Sequence, residues 1–193
     1  MPRTKQFNEE EILNKAMELF WEKGFHATSI QDLVSHLGIN RASLYGTFGG
    51  KEELFKKAFQ RYRTMSSCSL SGIFETETSV KKGFRMLFFK AIAAVQTNPE
   101  HKGCFVVNTT TELLPGDDAI KKALMENKAH VEHLFISYIK SGMRSGEISA
   151  DKNAESIGMM LFALYSGLEV LAKVEHDVEK LHSLVEVGLS VLD

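Results

Sequence analysis

The stretch that decides the fold spans residues 28–54 and reads TSIQDLVSHLGINRASLYGTFGGKEEL. Two short helices are predicted within it. The first follows a capping box formed by Thr28 and Gln31, in which each side chain satisfies a free backbone amide, and the second is capped by Asn40. Between them lie only two residues, of which Gly38 can adopt the left-handed conformation that reverses the chain. This spacing predicts a helix-turn-helix, whose second helix enters the major groove of DNA.

Helices are also predicted on both sides of this stretch. One begins after Asn8, whose side chain can cap it, and ends at Gly24. The short second helix of the motif is expected to end near Gly46, and a further helix to run from Lys51 to about Ser66. The remaining apolar periodicity predicts helices over 77–97, 102–114, 118–143, 152–173 and 176–192, separated by Pro99, Pro115 and Gly146.

Composition indicates a globular, all-α protein. The chain has 193 residues, of which 44% are hydrophobic, 25% are charged and only three are proline. Its net charge is −2, but residues 1–63 hold ten basic and eight acidic residues, which permits local DNA binding. No apolar run is expected to span a bilayer, and the polar N-terminus lacks the apolar core of a secretory signal, so a cytoplasmic protein with no membrane partner is predicted.

One nearly continuous stretch, residues 8–63, resembles the TetR/AcrR family of bacterial regulators. The resemblance rests on pairs such as Gly24-Phe25, on Thr28-Ser29-Ile30, and on the run SLYGTFGGKEEL over residues 43–54. It implies an all-α protein with an N-terminal three-helix DNA-binding domain at 1–60 and a C-terminal helical bundle at 61–193 for ligand sensing and dimerisation. It further implies a repressor that binds a palindromic operator as a homodimer and is released by an inducer.

The predicted DNA contacts lie on and around the recognition helix. Arg41 stands at its start, where a guanidinium can bond to guanine, although a phosphate contact or a solvated side chain remains open. Ala42 can pack on a thymine methyl group. Gly46 departs from the family pattern, which often has a larger residue there, so readout is expected to depend on the neighbouring side chains. Including the positions that the family uses for phosphate, the predicted contacts are Thr28, Arg41, Ala42, Ser43, Tyr45 and Lys51.

The last two helices are the predicted dimer interface, because two such pairs can close a four-helix bundle across a two-fold axis. Small residues such as Ala163 and Gly167 would allow close approach. The alternative, that these faces pack only within one subunit, stays open. The predicted interface residues are Ile157, Leu161, Leu164, Leu168, Leu181, Leu184 and Val185.

The inducer is expected to occupy an apolar cavity with a few polar groups. Cys104 lies in a Gly-Cys-apolar segment similar to one in a branch of the family that includes electrophile and oxidant sensors. At a helix N-terminus and beside a lysine, its thiol could have a lowered pKa and react as thiolate. A buried inert cysteine, in a protein induced by a reversible apolar ligand, is the alternative. The sensing candidates are Cys104, Asn108, Tyr138, Tyr165 and Lys173.

No cofactor and no metal site are predicted. The pairs His101/Cys104 and His130/His133 are each too small to hold a metal alone, and two cysteines are too few for a disulfide framework. Phosphate loops, dinucleotide-binding glycines and nucleophile elbows do not occur, so an enzyme is not expected. A helical adaptor that binds only protein is the remaining alternative, and it predicts no salt-dependent affinity for DNA.

Overall fold

A computed structural model describes residues 7–97, 102–114, 116 and 118–193. Within them the chain is all-helical, as the sequence predicts, and Pro99, Pro115 and His101 lie outside the described residues. The elements are α1 (Glu9–Lys23), α2 (Ile30–Leu37), α3 (Arg41–Phe48), α4 (Lys51–Thr76), α5 (Val80–Thr97), α6 (Phe105–Leu113), α7 (Asp118–Ser145), α8 (Ala154–Leu171), α9 (Val178–Leu189) and a 3-10 turn (Ser190–Leu192).

The helix-turn-helix forms as its sequence predicts. The Asn8 side chain accepts a hydrogen bond from a backbone amide of α1, and the Asn40 side chain accepts one from the amide of Ser43 at 2.8 Å. Gly38 has a φ of 66°, in the left-handed region, so the chain can turn from α2 into α3 without the strain that a Cβ atom would introduce.

The predicted cap of α2 is wrong by one residue. Ser29 caps the helix: its hydroxyl accepts from the amide of Asp32 at 3.0 Å, and the Asp32 carboxylate accepts from the amide of Ser29 at 2.9 Å. Thr28 is instead fully buried, and its hydroxyl donates to the carbonyl of Gly24 at 2.6 Å. A carboxylate is a stronger acceptor than the amide of Gln31, which favours the Ser29 pairing.

Helix α4 is longer than predicted. It passes Ser66 without a break and ends at Thr76, because its second half contains no proline and places Leu70, Ile73 and Phe74 against an apolar core. The helix is therefore continuous across residue 60, the predicted domain boundary, and serves both parts of the chain.

Two apolar cores are formed. The head core joins α1, α2, α3 and the first half of α4 with Phe105 and Leu113 of α6 and with Ile120 and Leu124 of α7. The bundle core joins the second half of α4 with α5, α7, α8 and α9. Helix α6 and the start of α7 thus pack on the helix-turn-helix, although they lie more than forty residues after it in sequence.

Most of the predicted dimer residues are buried inside one subunit. Leu164 is partly buried against the bundle core, and Leu184 keeps 38% exposure. The prediction is wrong for the others because α8 and α9 are apolar on more than one side, and the longest apolar stripe of each turns inward. The residues that pack in the bundle core are Ile157, Leu161, Leu168, Leu181 and Val185.

Helix α8 is also more apolar than the sequence analysis allowed. Over Ala154–Leu171 it has a mean hydropathy of 1.3, so by length and composition it could cross a membrane, yet only 33% of this segment is buried. It packs against α5, α6, α7 and α9 as part of the bundle. Together with exposed apolar residues after α8 and on α9, the unburied part forms an apolar strip, and exposed apolar patches mark contacts with proteins, membranes or ligands. The dimer strip, as we call it, consists of Met160, Ala163, Gly167, Val170, Val174, Leu184 and Val187.

Candidate DNA interface and sensing cavity

Helix α3 has one buried face and one open face. Leu44 and Phe48 are buried in the head core and fix the helix against α1, α2 and α4. The opposite face is exposed at Arg41, Ala42, Tyr45 and Gly46. Arg41 lies one turn before Tyr45, and Ala42 lies one turn before Gly46. A helix held in this way presents its outer surface at full length, the geometry by which a recognition helix enters the major groove.

Two basic side chains, Arg41 on this face and Lys51 at the start of α4, lie against aromatic rings. The guanidinium of Arg41 is 6.0 Å from the Tyr45 ring, and the Nζ of Lys51 is 4.4 Å from the ring of Phe25. Contacts of this kind restrict the side chains while the charge stays available. Thr28 does not belong to the surface, since it is fully buried with its hydroxyl satisfied.

Gly46 leaves open space beside Arg41 and Tyr45. A Cβ atom built on Gly46 would meet no atom within 4 Å, so nothing in the subunit requires glycine there. The missing side chain leaves the middle of the exposed face flat, so only the flanking side chains project from it.

A cavity of about 300 Å³ lies between the head and the bundle. Helix α1 contributes Met17 and Trp21, so the DNA-binding head forms part of its wall. The other walls come from α4, α5, the segment before α6, and α8. The remaining lining residues are Tyr62, Met65, Ser66, Ser69, Leu70, Leu87, Lys90, Ala91, Ala94, Val95, Gly103, Tyr165 and Glu169.

Cys104 lies next to this cavity, but its predicted acidity is wrong. It is the N-cap residue of α6, as expected, yet it is buried and its sulfur accepts a hydrogen bond from the Tyr62 hydroxyl at 3.7 Å. Burial, together with the nearby carboxylate of Glu169, raises the pKa of the thiol to about 11, and the amides of α6 only partly offset this. The resting protein therefore holds a protonated thiol.

The structure brings four of the five sensing candidates to one region. Tyr165 lines the cavity, and the Nζ of Lys173 donates to the Oδ1 of Asn108 at 2.6 Å beside Gly103. Tyr138 lies elsewhere: it stacks on Phe74, and its hydroxyl donates to the carbonyl of Glu77 at 2.6 Å. Tyr138 therefore holds the α4–α5 connection and does not line the cavity.

Two residues of this region did not enter the predicted site: Trp21 and Glu169. Glu169 could have been identified from the sequence, because it is an acidic residue one turn after Tyr165 on an otherwise apolar helix face. Trp21 had no such signal, since its partner lies more than eighty residues away in sequence.

Helix α6 is fastened to the head at both ends. At its start, the indole Nε1 of Trp21 donates to the carbonyl of Gly103 at 2.8 Å. At its end, the Glu112 carboxylate accepts from the amides of Phe25 and His26 at 3.0 and 2.7 Å. Hydrogen bonds therefore join the start of α6 to α1 and the end of α6 to the connection between α1 and α2.

Replacing Glu112 with glutamine is expected to loosen this connection by about 1 to 2 kcal/mol, because one acceptor and the negative charge are lost. Amide hydrogen exchange at Phe25 and His26 should accelerate by about 5- to 30-fold. Glu126→Gln on the exposed side of α7 is the control and should leave both amides unchanged. Equal exchange rates in the wild type and the Glu112 variant would contradict this role.

The fold and the α3 surface define a helix-turn-helix DNA-binding protein with a cavity at the junction between its head and its helical bundle. No group of three or more metal-binding side chains occurs in the part of the chain that the structure describes. Two family models match the sequence: bacterial regulatory proteins of the tetR family over residues 12–58, and the tetracyclin repressor-like C-terminal domain over residues 83–187. The chain belongs to the TetR family and is a DNA-binding transcriptional repressor, not an enzyme.

Relatives match over nearly the full length. The uncharacterized HTH-type transcriptional regulator YezE of Bacillus subtilis is 32% identical, with all of both chains covered. The HTH-type transcriptional repressor ComR of Escherichia coli is 31% identical over 97% of this chain and 90% of its own. Among solved structures, a cysteine mutant of the TetR family regulator CifR in complex with a 26-base-pair operator superposes with a TM-score of 0.89 at 26% identity, covering 99% of this chain and 100% of that one.

Proposed function

We propose that this protein is a cytoplasmic homodimeric repressor that binds a palindromic operator and leaves it when a small molecule fills the cavity between head and bundle. The observation that carries the proposal is the exposed face of α3, with Arg41, Ala42 and Tyr45 held outward by a buried Leu44 and Phe48. A single head offers few contacts to DNA at physiological salt, so a second subunit is needed.

The dimer strip supports a second copy of the chain as the partner. Val174 and Val187 are 75% and 68% exposed, a large apolar exposure for a folded domain. At Gly167, a Cβ atom would meet nothing within 4 Å, so the backbone of a partner helix could approach closely. A two-fold dimer through α8 and α9 would present two α3 helices to a symmetric operator.

The experiment is selection of operators from random duplex DNA, followed by binding at several salt concentrations. We expect a palindromic sequence and an affinity that falls steeply as salt rises, because the contacts to phosphate release counterions. Failure to select any sequence, with no salt-dependent affinity for DNA, would instead support an adaptor that binds only protein.

The structure favours a reversible ligand over thiol chemistry as the signal. With the pKa of Cys104 raised to about 11 from an ordinary 9.0, its thiolate fraction at neutral pH falls about 100-fold. A bound ligand acts directly on α1 through Trp21 and on the fastened α6. Ligand binding then shifts the population of dimers toward a conformation in which the distance between the two DNA-binding heads does not fit two successive major grooves. The repressor is released from DNA as a result.

Alkylation by iodoacetamide separates the two signals. Cys104 should react at least about 100-fold more slowly than the exposed Cys68. Hydrogen peroxide should not release the wild type, Cys104→Ser or the control Cys68→Ser from operator DNA. Release of the wild type and of Cys68→Ser, with Cys104→Ser retained, would identify Cys104 as an oxidant sensor and contradict the proposal.

A further inference from the structure

The sensing cavity contains a buried carboxylate. Glu169 is only 8% exposed and lines the cavity from α8. The Tyr165 hydroxyl, one turn earlier, donates a hydrogen bond to it. Among the residues that the structure describes, Glu169 forms no ion pair, since the Nζ of Lys173 is bonded to Asn108. Removing a carboxylate from water without an ion-pair partner is costly.

Glu169 is the cavity group that titrates near neutral pH. Burial raises the pKa of its carboxyl to about 7, while the Tyr165 hydrogen bond and the charge of Lys173 act in the opposite direction. Burial also raises the pKa values of Tyr62, Tyr165 and Cys104, so these groups stay neutral between pH 6 and 8. The titratable and charged groups that face Glu169 are Tyr62 on α4, Lys90 on α5, Cys104 at the start of α6, and Tyr165 and Lys173 on α8.

Three aromatic side chains, Trp21, Tyr62 and Tyr165, line the same cavity. The rings of Trp21 and Tyr62 are 5.0 Å apart in an edge-to-face arrangement, and Tyr165 lies beside Glu169. The negative faces of aromatic rings attract cations, most strongly where water is excluded. We propose that this cavity binds a lipophilic organic cation, with Glu169 as its counter-ion and the rings of Trp21, Tyr62 and Tyr165 around its charged group.

This inference deepens the proposed function, because it names the chemistry of the inducer. The rest of the wall is apolar, from Leu70, Leu87 and Val95, so the body of the ligand is hydrocarbon. The volume of about 300 Å³ suits one ring and a small ammonium group. An anion would be repelled by the ionised carboxylate, and a neutral molecule would leave that carboxylate without an ion-pair partner. Lys90 also lines the cavity, but it is exposed to solvent and its Nζ is held 2.9 Å from the Oγ of Ser69.

The test uses benzyltrimethylammonium, whose charge does not change with pH, and its uncharged isostere neopentylbenzene. Each is titrated into the full-length protein by calorimetry, with benzenesulfonate as the anionic probe. At pH 8 the cation should bind at least tenfold more tightly than the neutral isostere, and the anion should not bind. Because only the ionised carboxylate attracts the cation, its affinity should rise about tenfold from pH 6 to pH 8.

Glu169→Gln keeps the size of the side chain and removes its charge. This variant should bind the cation at least tenfold more weakly, show no pH dependence, and keep its affinity for neopentylbenzene. Glu155→Gln, on the exposed side of the same helix, is the matched control and should behave like the wild type. Equal affinity for cation and isostere, no binding of the cation at millimolar concentration, or unchanged binding by Glu169→Gln would each overturn the inference.

Operator binding by the same samples, measured without any probe, separates this inference from the proposed function. A protein that binds its operator but shows no preference for the cation would overturn only the cation site. A protein that binds no operator would contradict the proposed repressor, and the titrations would still decide the chemistry of the cavity.

Discussion

Replacing Arg41 with alanine is expected to lower operator affinity by about 2 to 6 kcal/mol, or roughly 30- to 10⁴-fold. Arg41 stands at the exposed start of α3, where a guanidinium can bond to O6 and N7 of guanine. A bidentate contact contributes about 1 to 3 kcal/mol of discrimination, and a two-fold dimer loses two of them. The loss should be largest for operators with guanine at the contacted position, and it should relax the choice of base there.

The matched comparison is Lys51→Ala, which removes a charge from the first turn of α4. A phosphate contact carries no base information, so this variant should weaken all DNA sequences alike and reduce the salt slope by about 2 for a dimer. Arg144→Ala is the control: it lies at the end of α7, roughly 30 Å along that helix from Leu124, which packs on the head. Unchanged DNA binding by folded Arg41→Ala and Lys51→Ala proteins would contradict the assignment of α3 as the recognition helix.

The head could be predicted almost completely, because its signals are local. Asn8, Gly38 and Asn40 each fix a helix end through the adjacent backbone. The N-cap of α2 was predicted at Thr28 but is formed by Ser29, and this difference shows the limit of local sequence signals. Both residues can cap α2, and each is followed three positions later by an acceptor, so only the stronger pairing of Ser29 with Asp32 and the burial of Thr28 decide between them.

The sensing region could be predicted only in part, because its chemistry depends on distant partners. The sequence placed Cys104 at a helix start, where a lowered pKa is expected, but it did not show that the thiol is buried close to the Glu169 carboxylate, and both effects raise that pKa. Likewise, nothing near Glu112 in sequence shows that its carboxylate binds the amides of Phe25 and His26. Tertiary packing overrides the local expectation in each case.

The apolar strip on α8 and α9 shows a different limit of prediction from sequence. The apolar periodicity of α8 and α9 is strong, but both helices are apolar on two sides, and periodicity cannot say which side turns inward. Leu161 and Leu168 form the more regular stripe and fill the bundle core, whereas Gly167 and Val170 stay on the surface. A helix buried on one side within its subunit and left apolar on the other is typical of a subunit interface.

Val187→Asp is expected to convert the dimer to a monomer and to lower operator affinity by more than about 100-fold. Val187 lies on α9 with 68% of its surface exposed, so an aspartate is solvated in the free subunit and does not disturb folding. In a dimer through this strip, two carboxylates would be buried without partners, which is strongly destabilising. A monomer would then hold one recognition helix, with half of the phosphate contacts and half of the base contacts.

Sedimentation equilibrium and operator binding measured together test this prediction, with thermal unfolding to show that the variant subunit folds. Met125→Asp on α7 is the matched control, since Met125 is also exposed, at 63%, and lies outside the dimer strip. It should remain a dimer and bind DNA as the wild type does. If Val187→Asp sediments as a dimer with full operator affinity, the subunits associate elsewhere; if it sediments as a monomer with full affinity, pairing is not what supplies tight binding.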